Sequence, residues 1–248
     1  MKRVISTGEI TVESAARNVR DYFTEIMPKS GTVRTGARFD SWAGGGDAPE
    51  TANRITADDL VAVSFLSVKV PARAAIGLLD TQAGEVAGLL SAIPTDLELR
   101  DADPVADLGP DSPAHRLWDL VRGRQVDGGN AAWGIGPTTA SKILARKRPR
   151  LVPVYDSIIR RVTSLAGSGE QWTQWHAAFG DGVLDERLTE IRHRSGITAP
   201  VADLRLLDVV LWMHGKRQGL QPQDEDLEFP ASSPVSSPVS SPVTPAAR

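Results

Sequence analysis

Apolar side chains recur at intervals of three and four residues along most of the chain, which is the spacing of one face of an α-helix. Thr11 is a favourable N-cap for a helix over 12–26. Thr56 and Asp59 have the spacing of a capping box at the start of the next helix. Further helices are predicted to begin at 71 and 112 and to cover 82–92, 153–165, 171–179, 184–193 and 201–214. The pattern contains no convincing run of alternating strands, so it predicts an all-α fold.

Two segments interrupt the helical pattern. The first, 29–53, is rich in glycine and carries Phe39, Asp40 and Trp42. Long loops of this kind are often functional, because most connections are shorter and more polar. The second, 97–110, is acidic and punctuated by proline. We interpret it as a linker.

The C-terminal segment 221–248 differs in composition from the rest of the chain. An acidic stretch leads into Ser-Ser-Pro-Val repeated three times. Regularly spaced proline and few residues to bury predict a disordered tail. The sequence therefore predicts one helical unit over 1–220 followed by this tail.

Composition excludes several kinds of chemistry. The chain of 248 residues has no Cys, which excludes disulfides, zinc–thiolate sites and thiol nucleophiles. The four His residues lack metal-ligand spacing. No apolar stretch is long enough to span a bilayer, and residues 1–7 lack the apolar core of a signal peptide. We therefore expect a cytoplasmic protein without a membrane partner.

Charge is unevenly distributed along the chain. The formal net charge is −3, yet ten Lys or Arg and three Asp fall between Arg116 and Arg161, a local net charge of +7. A basic block on an acidic protein is typical of a surface that binds a polyanion. An ordinary solvated helix surface is the alternative.

The most informative stretch begins at Asn130 and reads Asn-Ala-Ala-Trp-Gly-Ile-Gly-Pro-Thr-Thr-Ala-Ser-Lys. Gly134 and Gly136 allow a tight bend, and Ile135 between them can anchor it in the core. A helix beginning near Pro137 would present its N–H groups and positive dipole end to an anion. A phosphate held by backbone atoms carries no base sequence. Further DNA-backbone contacts are predicted from Thr138, Thr139, Lys142, Arg146, Lys147, Arg148, Arg150 and Arg160.

This stretch resembles the hairpin of the helix-hairpin-helix DNA glycosylases, the superfamily that includes endonuclease III and the adenine mismatch glycosylase. In that superfamily a catalytic Asp follows the hairpin helix, within Val-Asp-x-x-x-x-Arg-Val. The segment from Val154 to Val162 is similar, with Tyr155 in the Val position or with one residue added. The interval between Thr138 and Asp156 also fits. The resemblance covers 112–165, and it implies a two-lobed helical fold that clamps DNA between the lobes.

The resemblance implies roles for two residues. Asp156 corresponds to the catalytic carboxylate, which stabilises positive charge on the sugar or activates water as the N-glycosidic bond breaks. The alternative is a simple helix-capping acid or an ion-pair partner of Arg160. Thr138 stands where some members carry a catalytic Lys. Because a hydroxyl cannot form a Schiff base, base removal without strand cleavage is expected.

A glycosylase also needs a pocket for the flipped base. Candidates for its walls or for a wedge are Phe39, Asp40, Trp42 and Tyr155, with Trp133 as a further wedge candidate. Each aromatic residue could instead be an ordinary core residue.

The sequence therefore predicts a DNA glycosylase acting on a damaged, mismatched or modified base, in repair or in defence against phage. The alternatives are a non-catalytic helix-hairpin-helix DNA-binding module and a helical interaction protein. No cofactor is expected, apart from a possible monovalent cation at the hairpin. DNA is the predicted partner, and no protein partner can be inferred.

Overall fold

The computed structural model describes residues 9–124 and 133–223, and within these ranges it contains α-helices and no strand. The predicted all-α class is confirmed. The predicted disordered tail lies almost wholly outside the described residues. The helices are α1 Val12–Thr24, α2 Ala57–Ser64, α3 Ala72–Ile76, α4 Ala83–Ser91, α5 Pro113–Val121, α6 Pro137–Lys147, α7 Ser157–Thr163, α8 Gln171–Phe179, α9 Val183–Ser195 and α10 Asp203–Arg217.

The predicted caps begin three of these helices. Thr11 accepts a hydrogen bond from Ser14 N at 3.2 Å, and Thr56 forms a complete capping box with Asp59. Ser112 caps α5, which has proline in its first turn. Each cap accepts from an N–H group that the helix itself leaves unpaired.

The helix α7 begins four residues later than predicted. Residues 152–156 are not helical, and the helix starts only after Asp156, whose backbone is extended. The predicted linker 97–110 also differs from expectation, because Leu99 and Leu108 are buried in the hydrophobic core. Leu99 N donates to Arg150 O at 2.9 Å. This connection is therefore part of the packed structure.

The helices form two groups. In one group α1 packs against α9 and α10, and α10 packs against α7, so the first helix joins the last ones. In the other group α2 and α5 both pack against α6, and α4 packs against α5. None of the described helices is both long and apolar enough to cross a membrane.

The helix α6 lies at the centre of this arrangement. Every residue from Thr138 to Lys147 is buried. The apolar side chains of α6, among them Ile143 and Leu144, belong to one hydrophobic cluster that draws on both groups of helices. The hairpin precedes the first turn of α6, and the glycine-rich loop packs against its last turn. The two ends of this buried helix therefore define two distinct regions of the surface.

Candidate nucleic-acid interface

The predicted bend is present before α6. Gly134 has a φ of 68°, which favours glycine, and Ile135 is buried. Gly136 is the N-cap of α6, and as a glycine it has no side chain to cap the first turn. Trp133 anchors the bend from the other side, because a Cβ on Gly77 would lie 2.4 Å from its ring. The residues between α5 and Trp133, 125–132, lie outside the described ranges.

Apart from Pro137, the exposed surface of the bend is glycine backbone. Gly134, Gly136 and Pro137 are partly exposed, whereas the side chains of Thr138 and Thr139 are buried. Thr138 O accepts a hydrogen bond from Ser141 Oγ at 2.9 Å. The start of α6 can therefore offer peptide N–H groups, except at Pro137, and the positive end of the helix dipole to an anion.

The prediction that the basic residues of α6 face DNA is wrong for four side chains. Lys142, Arg146, Lys147 and Arg148 are all buried. Lys142 Nζ donates to Leu66 O at 3.0 Å. The reason is that each cation is bonded to carbonyl groups or to a buried carboxylate, and so is held inside the protein. These four positive charges stabilise the fold and do not form a surface for phosphates.

Asp59 is the counter-ion of two of these cations. Its carboxylate accepts from Arg146 Nε at 3.1 Å and from Lys147 Nζ at 2.9 Å. Burial lowers the pKa of Lys147, and the charge of Asp59 opposes that shift. Burial also lowers the pKa of Arg148 to about 10. The guanidinium of Arg148 donates mainly to backbone carbonyls, those of Ala52, Leu90, Ile93 and Lys147.

The glycine-rich loop is fastened to the last turn of α6. Arg146 donates to the carbonyl oxygens of Phe39, Asp40 and Trp42. A Cβ on Gly46 would lie 2.1 Å from Arg146 O, so glycine is needed where the two backbones meet. The sequence predicted that this loop has a functional role. In the structure it packs against the basic C-terminal end of α6.

A cleft of about 280 Å³ opens where this loop meets the end of α6 and the start of α10. Two of the predicted base-pocket residues, Phe39 and Asp40, line it, together with Gly46, Asp47, Glu98, Ala145, Arg146, Pro149, Arg150, Arg192, Pro200, Val201, Ala202 and Asp203. Trp42 and Tyr155 do not. Trp42 instead packs edge-on against Phe65 and donates to Asp58 at 3.0 Å.

The segment that carries Asp156 packs against the middle of α6. Asp156 is the N-cap of α7, and its Oδ1 accepts from Ile159 N at 2.9 Å. Its segment is tied to α6 because Tyr155 N donates to Ser141 Oγ at 3.0 Å. Asp156 is only 8% exposed and does not line the cleft. Since an α-helix rises 1.5 Å per residue, the hairpin and the cleft are about 15 Å apart along α6. The structure thus separates the bend from Phe39 and Asp40. The segment of Asp156 lies closer to these two residues, because Val154 lines a small cavity together with Phe39 and Asp40.

Sequence reasoning missed a buried polar network centred on Arg205. Its guanidinium donates to Tyr22 OH at 2.8 Å, to Asp40 Oδ2 at 3.1 Å and to Asp208. Burial raises the pKa of Asp208 to about 6, against the opposing effect of Arg205, and the charge of Asp156 raises it further. No motif surrounds Asp208. The one sequence feature that could have indicated its role is an acidic residue among the apolar residues of a buried helix.

Burial also raises the pKa of Asp40, and the neighbouring Arg205 opposes the shift. Arg160 is partly exposed and donates to Gln223 Oε1 at 3.3 Å. Among the described residues, no group of three or more His, Asp or Glu side chains is placed to hold a metal ion.

Comparison with known proteins places the chain in a family. The family of unknown function DUF6308 matches residues 15–215, which extend from α1 to α10. The chain belongs to this family. No curated protein and no solved structure matches this chain.

Proposed function

We propose that this protein binds DNA through the phosphate backbone, with the bend Gly134-Ile135-Gly136 and the first turn of α6 as the contact. One observation carries the proposal. A buried Ile135 is flanked by two partly exposed glycines, and the second glycine is the N-cap of an 11-residue helix, where it has no side chain to cap the first turn. This geometry can present backbone N–H groups at the start of α6, except at Pro137, to an anion.

The proposed binding is independent of base sequence. Backbone amides contact phosphate oxygens, which are the same at every base pair. With four of the basic side chains buried, few cations remain to release counter-ions. We therefore expect weaker binding and a shallower dependence on salt than the charge of the sequence suggests.

Gly136→Leu tests this proposal. Gly136 has φ −80° and ψ 175°, an extended conformation that any residue adopts, so the substitution does not strain the backbone. The new side chain would cover the start of α6. Gly167→Leu is the matched control, because Gly167 is also a partly exposed, extended N-cap with open space around it.

The measurement is fluorescence anisotropy of a labelled duplex titrated with protein at several salt concentrations. We expect Gly136→Leu to weaken binding about tenfold or more, as the loss of a charge-assisted phosphate contact implies. Gly167→Leu should bind as the unchanged protein does. Equal affinity of all three proteins would contradict the proposal.

A second candidate function is removal of a base, with Asp156 as the acidic group. The observation in its favour is the hydrogen bond from Tyr155 N to Ser141 Oγ. It holds the segment of Asp156 against α6 about one helical turn after the hairpin. The low exposure of Asp156 and its absence from the lining of the cleft favour binding without catalysis. Thr138 in the Lys position limits this candidate to base removal without strand cleavage.

Asp156→Asn distinguishes the two candidates. Asn is as good an N-cap as Asp, so the variant keeps the hydrogen bond from Ile159 N and should fold normally. Duplexes carrying damaged, mismatched or modified bases are incubated with protein and heated in alkali, which breaks the strand at abasic sites. If the protein removes a base, the alkali breaks the strand after incubation with the unchanged protein and not after incubation with Asp156→Asn. A binding protein leaves it intact in both forms.

A further inference from the structure

A helical stripe beside the hairpin exposes both charge and apolar surface. The helix α3 continues into a π-helical turn at Gly77–Thr81. At intervals of three along this segment Arg73, Ile76 and Leu79 are exposed, Ile76 by 58% and Leu79 by 38%. Lys69 is exposed just before the helix. We call Lys69, Arg73, Ile76 and Leu79 the α3 stripe.

The inward side of the same segment packs against the hairpin. A Cβ on Gly77 would meet the ring of Trp133 at 2.4 Å, and one on Gly134 would lie 3.5 Å from Pro71 Cγ. The α3 stripe therefore borders the residues that form the proposed phosphate site. A π-helical turn is rare and is often found at functional sites.

We propose that the α3 stripe is a second part of the DNA-binding surface, in which Lys69 and Arg73 contact phosphates and Ile76 and Leu79 contact sugars and bases. This proposal rests on the proposed function of the hairpin. Apolar side chains that project into the minor groove or against unstacked bases are a common means of binding DNA.

Charge supports DNA as the occupant. Among the described residues neither Lys69 nor Arg73 has an ion-pair partner, in contrast to the buried cations of α6. The first acid along the segment is Asp80, which follows the stripe at the end away from Pro71. Two exposed apolar side chains are far fewer than a stable protein interface needs, since such interfaces bury about 800 Å² on each partner. This makes a second copy of the chain the weaker candidate.

The test measures DNA affinity and its salt dependence for two variants of the stripe. Arg73→Ala should lower the slope of log K against log salt by about 0.9, the effect of one lost phosphate contact on duplex DNA. Ile76→Ala should weaken binding about tenfold while leaving the slope unchanged, because it removes buried apolar surface and no charge.

Two matched controls come from the same chain. Arg54→Ala removes an exposed cation elsewhere on the surface. Ile26→Ala removes an isoleucine that is 59% exposed, almost the same as Ile76. Both controls should leave affinity and slope unchanged.

The outcomes separate this inference from the proposed function. If Gly136→Leu weakens binding but the Arg73 and Ile76 variants behave like their controls, the hairpin binds DNA and the stripe does not. If the unchanged protein fails to bind DNA, both proposals fail. If Ile76→Ala alters the molecular mass measured by light scattering but not DNA affinity, the stripe joins two copies of the chain and the inference is overturned.

Discussion

Replacing Asp59 by Asn is the sharpest test of why the chain carries its basic block. Asp59 is buried and is bonded to both Arg146 and Lys147. The variant has nearly the same shape but removes the negative charge, so two cations remain inside the protein without their carboxylate. Breaking a buried ion pair from one side costs about 3–5 kcal/mol. This is a large part of the 5–15 kcal/mol by which domains are typically stable.

Equilibrium urea unfolding followed by tryptophan fluorescence measures this cost. The matched control is Asp58→Asn, one residue earlier in the first turn of α2, where the side chain is exposed and bonds only to Trp42 among the contacts seen. Loss of a surface carboxylate near a helix N-terminus costs about 0.3–1 kcal/mol. If the two variants unfold at the same urea concentration, the basic block is not structural and our interpretation of α6 is refuted.

Two further predictions concern the polar network and the glycine-rich loop. Burial raises the pKa of Asp208 to about 6 from its usual 3.8, so the folded state holds the proton more tightly and loses stability as the pH rises through this range. Asp208→Asn should flatten that dependence in urea unfolding between pH 4 and pH 7, and an unchanged profile would contradict it. Gly46→Ala should destabilise by about 1–3 kcal/mol in the same assay, because its Cβ would lie 2.1 Å from Arg146 O. Gly84→Ala, in open space on α4, should instead stabilise slightly, and equal effects of the two would argue against the close approach.

Local features of the fold could be predicted because they depend on few neighbouring residues. Thr11, Ser112 and the pair Thr56–Asp59 cap helices as expected, since each cap is satisfied within its own turn. The bend at Gly134 was predictable for the same reason. Its positive φ favours glycine, so the presence of glycine in the sequence indicates the bend.

The environment of α6 could not be predicted in this way. A count of Lys and Arg does not reveal that the carbonyl groups of the glycine-rich loop surround Arg146 and Arg148, because those contacts link residues about 100 positions apart. The resemblance to glycosylases likewise placed Asp156 and Phe39 in one site. Phe39 lines the cleft and Asp156 does not. This difference depends on how both groups of helices pack, and spacing along the chain does not determine it.

The central claim is that DNA binds at the start of α6 and not at the end of this helix. NMR spectra of ¹⁵N-labelled protein, recorded while a short duplex is added, test it most directly. We expect the largest shifts at the amides of Gly134, Gly136 and Thr139, with little change at Gly46 and Asp47 beside the cleft. Shifts concentrated at Gly46 and Asp47, with the hairpin amides unmoved, would contradict the account.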